Sequence, residues 1–394
     1  MRIAFLAFLA FLLSLMPARA LDLTRPEGAI RVAVFNASLA RKGAGKLILD
    51  IEQGRDAQVR NVAEIILRVR PDILILNEFD HDPSARALDR FRGILSAGKD
   101  GLDGIDYPHW HHDEVNTGVP SGHDLDGDGR RAGPKDAFGF GRFPGHYGMA
   151  VLSRFPLGEG QSYRLFRWAD LPGADRPVTA SGSAYHSDTV WRDLRLSSKS
   201  HWNVPVSLPD GRVVHVILAH PTPPVFDGPE DLNGRRNADE IRLLIAILEG
   251  ADWLRDDTGG PAFPPVHAIV AGDLNADPVD GEGHKDAIGA LLFHPRLSDP
   301  QPESPGAAEA ADQGGGNVRQ RGIAARDTAD WRDRGGPGNM RVDYVLPTTS
   351  LEVVGSGVFW PVRNDPLAGL VKTGRSQASS DHRLVWVDLA PAAP

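Results

Sequence analysis

Eight side chains able to bind a hard metal ion or move a proton recur at one kind of place in this sequence, at or beside the end of a short apolar run. "VAVF" leads into Asn36, "ILILN" into Glu78, "VVHVILA" into His220, and "AIVAG" into Asp273 and Asn275. Asp343 lies within "RVDYVL", and Asp381 and His382 directly precede "RLVWV". Carboxylates, amides and imidazoles are metal ligands and acid–base groups, and oxygen donors suit Mg2+ or Mn2+. The chain has no cysteine, so thiolate metal sites, disulfides and a lipid-modified cysteine are excluded. Singly, an Asn or Asp after a strand reads as a turn residue. Six strand ends offering Asn, Glu, His, Asp-x-Asn, Asp and Asp-His form a set.

Strand tips are rigid mounts for such groups. Runs rich in β-branched residues predict strands over 30–36, 73–77, 149–153, 213–219, 266–272, 341–347 and 383–389. Two helices stand out. In 56–70, Val59, Val62, Ile66 and Val69 recur at helical spacing before Pro71, and in 238–250, Ile241, Leu244, Ile245 and Leu248 make one face before Gly250. The segments 80–148 and 301–339 are rich in turn-forming residues and read as long insertions. With no internal repeat and no clean linker, residues 21–394 read as a single domain.

The order of these pieces resembles the endonuclease/exonuclease/phosphatase superfamily of DNase I-like, metal-dependent phosphoesterases. The resemblance rests on "VFN", "ILNEFD", "LAHPTPP", "AGDLNADP", "RVDYVLP" and "SSDHRLVWVDL", which span nearly all of the chain after residue 20. It implies an α/β fold, a four-layer αββα sandwich of two mixed β-sheets, with the active site at one edge of the sheets. Phosphoester hydrolysis needs an activated water and cover for charge on the phosphoryl and leaving oxygens. On this resemblance Glu78 is a metal ligand, with Asn36 beside it and Asp381 as a further ligand. Asp273 activates the water and Asn275 points toward the phosphate. His220 and His382 donate to phosphoryl oxygens, with Asp343 holding His382.

Weaker candidates are cationic. Arg195, Lys199 and His201 precede a probable strand, and Arg236 stands near a helix start, each placed to hold phosphate or simply to be solvated charge. "YPHWHHDEVN" offers His109, His111 and His112 as a second metal cluster or a polar rim loop. "DLDGDG" aligns Asp124, Asp126 and Asp128 as in the first half of a calcium loop, but Lys135 stands where the closing Glu belongs. Ca2+ there would stabilise a loop apart from the hydrolytic centre.

Residues 1–20 read as an export signal, a positive start, an apolar run and "ARA", with cleavage after Ala20. A periplasmic or secreted protein is the expectation, with no later membrane span and no indicated protein partner. The net charge of -9 weakens a general grip on DNA or RNA. The expected function is an exported metal-dependent phosphodiesterase or phosphatase. A nonspecific extracellular nuclease and a catalytically silent, calcium-dependent binding module are the alternatives.

Overall fold

The computed structural model describes residues 21–99, 101–331, 336–372 and 377–392. The export segment, residues 1–20, lies outside the described residues. In chain order the first strands are β1 (Ile30–Leu39), β2 (Ile73–Phe79), β3 (His109–His111), β4 (Met149–Ser153), β5 (Gln161–Ser162), β6 (His201–Ser207), β7 (Val213–Ala219) and β8 (His267–Asp273). They are followed by β9 (Ala329–Asp330), β10 (Asn339–Met340), β11 (Asp343–Pro347), β12 (Val353–Val358) and β13 (Val385–Leu389). The helices are α1 (Lys46–Gln53), α2 (Ala57–Val69), α3 (Arg86–Ala97), α4 (Asp188–Asp193), α5 (Leu232–Glu249), α6 (Lys285–Leu292) and α7 (Pro305–Ala310).

Two mixed sheets form the middle layers, ordered β12-β13-β1-β2-β4-β3 and β11-β8-β7-β6-β5. Each has one parallel pair, β1 with β2 and β7 with β8, and the remaining pairs are antiparallel. Parallel neighbours need a crossover, and a helix supplies each one: α2 leads into β2 and α5 lies between β7 and β8. The sheets pack through β1 and β2 against β8 and β11. Period-two alternation explains how one strand serves two layers. Ile269 and Ala271 of β8 join the core between the sheets, while Ala268 and Val270 pack under α5 and α6.

Helix α2 begins where Asp56 accepts the Val59 backbone N–H at 3.0 Å and ends at left-handed Arg70, before Pro71. The segment 80–148, read as an insertion, contributes more than loop: it holds α3 and the edge strand β3. Helix α3 buries only Ala87, Leu88, Phe91 and Leu95 beneath a charged face, so its apolar signal is thin. Segment 301–339 supplies α7 and β9. Strand β12, "VVGSGV", lacked a strand signal because two glycines interrupt it. A Cβ at Gly357 would sit 2.4 Å from the Trp386 ring, so the glycine is the space that the indole fills.

Candidate active site

Alternation carries the core directly into a polar cluster. Beyond Ile269 and Ala271 of β8, the same parity presents Asp273, and beyond Val214, Val216 and Leu218 of β7 it presents His220. On β11, Asp343 shares its parity with Val345 and pairs across the ladder with Asp273. The other sheet brings Asn36 on β1 and Asn77 on β2, and His382 precedes β13. All six are buried. Gly272 permits the close approach of β7 to β8, since a Cβ there would lie 2.0 Å from the Ala219 carbonyl oxygen.

Asp273 is the hub. Its Oδ2 accepts from Asn36 Nδ2 at 2.9 Å and lies 3.3 Å from His220 Nε2 and 3.6 Å from His382 Nε2. Its Oδ1 accepts the Asn275 backbone N–H at 2.9 Å, and its own N–H donates to Asn77 Oδ1 at 3.0 Å. His382 Nδ1 donates to Asp343 Oδ2 at 2.9 Å, and Thr328 Oγ1 donates to the same oxygen at 2.8 Å. With Nδ1 occupied, Nε2 of His382 is the nitrogen left for chemistry.

The charges divide sharply. Burial opposes a proton on His382, but Asp343 and Asp273 outweigh it and lift its pKa well above the usual histidine value. His220 moves the other way, to about 4, because burial and the Lys199 cation both disfavour protonation. Burial likewise opposes ionisation of Asp273, yet the His382 charge and the hydrogen bonds from His220 and Asn36 hold its pKa below the carboxylate range. Burial raises Asp343 to about 6. At neutral pH an imidazolium, a neutral imidazole and a carboxylate therefore stand side by side.

Glu78 and Asp381 line the same cleft, a cavity of about 1300 Å³. Glu78 is held at φ 55°, a backbone state that costs a side-chain-bearing residue about 1 kcal/mol or more. Burial and the Asp381 charge push its pKa up to about 7. The Asp381 carboxylate destabilises the Glu78 charge, a divalent cation would relieve it, and the hard oxygens of the two fit Mg2+ or Mn2+. Asn36 stands beside them with Nδ2 engaged by Asp273, and its Oδ1 accepts the Ser38 N–H at 3.1 Å with one lone pair still available.

The family model described as Endonuclease/Exonuclease/phosphatase family matches residues 51–382. The chain belongs to that family. Among solved structures it is similar to an endonuclease/exonuclease/phosphatase from Beutenbergia cavernae DSM 12333, at 20% identity over 93% of this chain and 72% of that one, with a TM-score of 0.51. The human Nocturnin catalytic domain matches at 16% identity over 92% and 93% of the two chains, with a TM-score of 0.45. Sphingomyelinase C from Streptomyces griseocarneus matches at 17% identity over 91% and 99%, with a TM-score of 0.46. No curated protein sequence matches.

In this endonuclease/exonuclease/phosphatase family member, one face of α5 braces the cleft. Glu240 accepts the Ser198 and Thr222 N–H groups, each at 2.6 Å, and Asn237 Nδ2 donates to the Thr222 and Leu274 carbonyls at 2.8 and 2.9 Å. The segments bearing Lys199, His220 and Asn275 are thus tied to one helix. Sequence reasoning missed Glu240, Asn237, Asn77 and Thr328. The signal available for the first two was a pair of polar residues one turn apart on a helix that otherwise buries its apolar side. Trp331, also missed, sets its ring edge-on to His382 with centroids 5.5 Å apart.

The cationic candidates separate. Lys199 lines the cleft, buried, with Nζ donating to the Pro221 carbonyl at 3.4 Å. Burial lowers its pKa, while Glu240, Glu78 and Asp273 favour its charge. Asn275, at φ 52°, also lines the cleft and donates Nδ2 to Pro221 O at 3.1 Å. The other three are spent on structure. Arg195 donates to Asn116 Oδ1 at 2.7 Å and stacks 4.1 Å from the Phe138 centroid. His201 lies inside β6 with Nδ1 on Ser197 Oγ at 2.6 Å and Nε2 on the Glu240 carbonyl at 2.8 Å. The Arg236 guanidinium, though part of the cleft wall, donates to the Leu196 and Arg195 carbonyls, both at 2.9 Å. Charge was visible in these residues, but not the backbone carbonyls that claim it.

The acidic loop does converge. One oxygen from each of Asp124, Asp126 and Asp128 lies within 4.8 Å of the others. All three also accept loop N–H groups, Asp124 from Gly127 and Gly129, Asp126 from Asp128, and Asp128 from Arg130. The histidine-rich stretch does not converge. His112 Nδ1 donates to the Met149 carbonyl at 2.8 Å, and His111 packs edge-on to Trp202. Among the described residues no ligand set forms there.

Proposed function

We propose that this protein is a metal-dependent phosphoesterase in which Asp273 activates the attacking water. The carrying observation is Asp273 Oδ2, fixed by Asn36 at 2.9 Å and flanked by two imidazole Nε2 atoms at 3.3 and 3.6 Å on the wall of an open cleft. Asp273 takes a proton from water as the new P–O bond forms. His382, charged and braced by Asp343, supplies a proton or hydrogen bond to the oxygen that departs. Lys199 faces the phosphoryl oxygens, while neutral His220 spends its single N–H on Asp273 Oδ2 and helps to orient it. Glu78 and Asp381 would hold a divalent cation, which when bound polarises the phosphoryl group and offsets its negative charge.

Hydrolysis of bis(p-nitrophenyl) phosphate tests this reading. It is expected to stop on chelation, to return with Mg2+ or Mn2+, and to be lost in Asp273→Ala. Undiminished turnover by Asp273→Ala would sink the mechanism, and wild-type protein inactive on all esters would favour the calcium-dependent binding module. Plasmid DNA in the same panel, degraded with strong salt dependence, would promote the nuclease reading. Residues 1–20 support export to the periplasm or the medium, and sequencing the mature N-terminus should find Leu21 first.

A further inference from the structure

Asn339 is an amide fixed by its backbone and left idle at its side chain. The residue is 2% exposed, and neither Oδ1 nor Nδ2 has a hydrogen-bond partner. Buried polar groups in native proteins are nearly always paired, so an orphaned donor and acceptor on one side chain require an explanation. Its backbone is well held, with the Asn339 N–H donating to Asn317 Oδ1 at 2.7 Å and β10 pairing Asn339 with Asp330. Asn339 lines the same cleft as Asp381, His382 and Trp331. It is also close to them in the chain path: β10 pairs with β9, Ala329 of β9 bridges to His382, and the Asp330 N–H donates to the Asp381 carbonyl at 2.8 Å.

The wall beside it is rich in acceptors. The loop from Asp277 packs against this strand, with Asp277 Oδ2 accepting the Arg341 N–H at 2.8 Å, and Asp277, Asp280 and Glu282 all line the cleft. A group that satisfies the Asn339 amide must carry a donor and an acceptor close together. A hydroxyl or a vicinal diol does so, and its further hydroxyls can donate to the wall carboxylates. A methyl or a quaternary ammonium cannot, and a second phosphate would meet like charge.

We propose that Asn339 is a specificity-determining residue that hydrogen-bonds a hydroxylated alcohol esterified to the phosphate. The inference rests on the phosphoesterase reading and narrows its substrate class to phosphate esters of polyols or sugars. Calorimetry tests it in an Asp273→Asn parent, in which the phosphoesterase reading leaves almost no turnover. In Mg2+, this parent should bind glycerol 1-phosphate about tenfold or more tightly than ethyl phosphate, and adding Asn339→Leu should bring the two affinities together. Asn339→Asp, which keeps the shape and loses the donor, should show a reduced preference and serves if the leucine variant fails to fold.

Equal affinities in the Asp273→Asn parent, no binding of either ligand, or a preference surviving both Asn339 substitutions would overturn the proposal. Tighter binding of adenosine 5′-phosphate than of glycerol 1-phosphate, lost in Asn339→Leu, would overturn the polyol assignment in favour of a base edge. The matched diesters 2,3-dihydroxypropyl and ethyl p-nitrophenyl phosphate give the kinetic counterpart. The ratio of their kcat/KM values should fall about ten- to hundredfold in Asn339→Leu. Release of p-nitrophenolate from neither diester would count against the diesterase reading, while the calorimetric preference would still decide the role of Asn339.

Discussion

Strands β1 and β13 carry buried charge at both ends, and the two ends are built to opposite standards. At one end Arg31 pairs in register with Asp388 and forms a fork, with Nε and Nη2 each 2.7 Å from a carboxylate oxygen. Its remaining donors reach the Leu23, Thr24 and Val69 carbonyls, and its cation lies 5.1 Å from the Trp386 centroid. At the other end, around Asn36 and His382, the polar groups are only partly satisfied. His220 Nδ1, Asn77 Nδ2 and Asp343 Oδ1 are buried without partners. A closed network fixes a fold, whereas an open one costs stability and leaves groups available to a ligand. Buried polarity alone does not mark a site, and His111, His112 and Trp202 show that unpartnered atoms alone do not either; here several of them converge beside one open cleft.

Substitutions can break that contrast. The largest effect is expected at the open end: Asp273→Asn should lower kcat/KM for bis(p-nitrophenyl) phosphate by about 10³–10⁴ while urea unfolding shows little loss of stability. Arg31→Met should do the converse, destabilising by about 3–5 kcal/mol in denaturant titration with kcat intact, because Asp388 is left buried and unpaired. The double variant with Asp388→Leu should recover much of that loss. If Arg31→Met instead abolished kcat in a fully folded protein, the division between the two ends would fail.

Acid should act through the buried histidines. His112 is held near 4 by burial, with the His81 charge adding to the effect. A depressed folded-state pKa means that the unfolded chain binds the proton first, so stability is intact above about 6.5 and is lost as pH falls from there toward 4. For this residue the loss is about 3 kcal/mol at most, and His112→Phe should flatten unfolding free energy over that window. The smallest effect is a displacement. Asp343 raises the His382 pKa, so Asp343→Asn should move the alkaline limb of the pH–kcat/KM profile to lower pH. An unmoved limb would remove His382 from proton donation.

The sequence made the core strands and α2 and α5 readable because each repeats a strong apolar period. It hid α3 beneath three arginines and Asp89 and β12 behind two glycines. The residues around Asp273 were legible because hard ligands at strand tips are unusual as a set. Those one contact further out were not. Thr328 and Glu240 act through contacts across the fold, to Asp343 and to Ser198 and Thr222, and no local spacing announces such contacts. Arg31 and Asp388 were absorbed into strands read as apolar, although both are as buried as the residues around Asp273.

Because Asp273 and His220 follow the same parity as the apolar residues before them, strand phase works here as a reading frame. One residue inserted into β8 between Ala271 and Asp273 would turn the carboxylate toward the helix layer and bring its neighbour to the cleft. Were the ladder to slip so that Asp273 kept its place, Ile269 and Ala271 would leave the core instead. Diversification by insertion and deletion is therefore confined to the connections, and the strands must change by substitution alone. A lineage of such proteins can exchange what surrounds the cleft freely while inheriting its floor as a single indivisible unit.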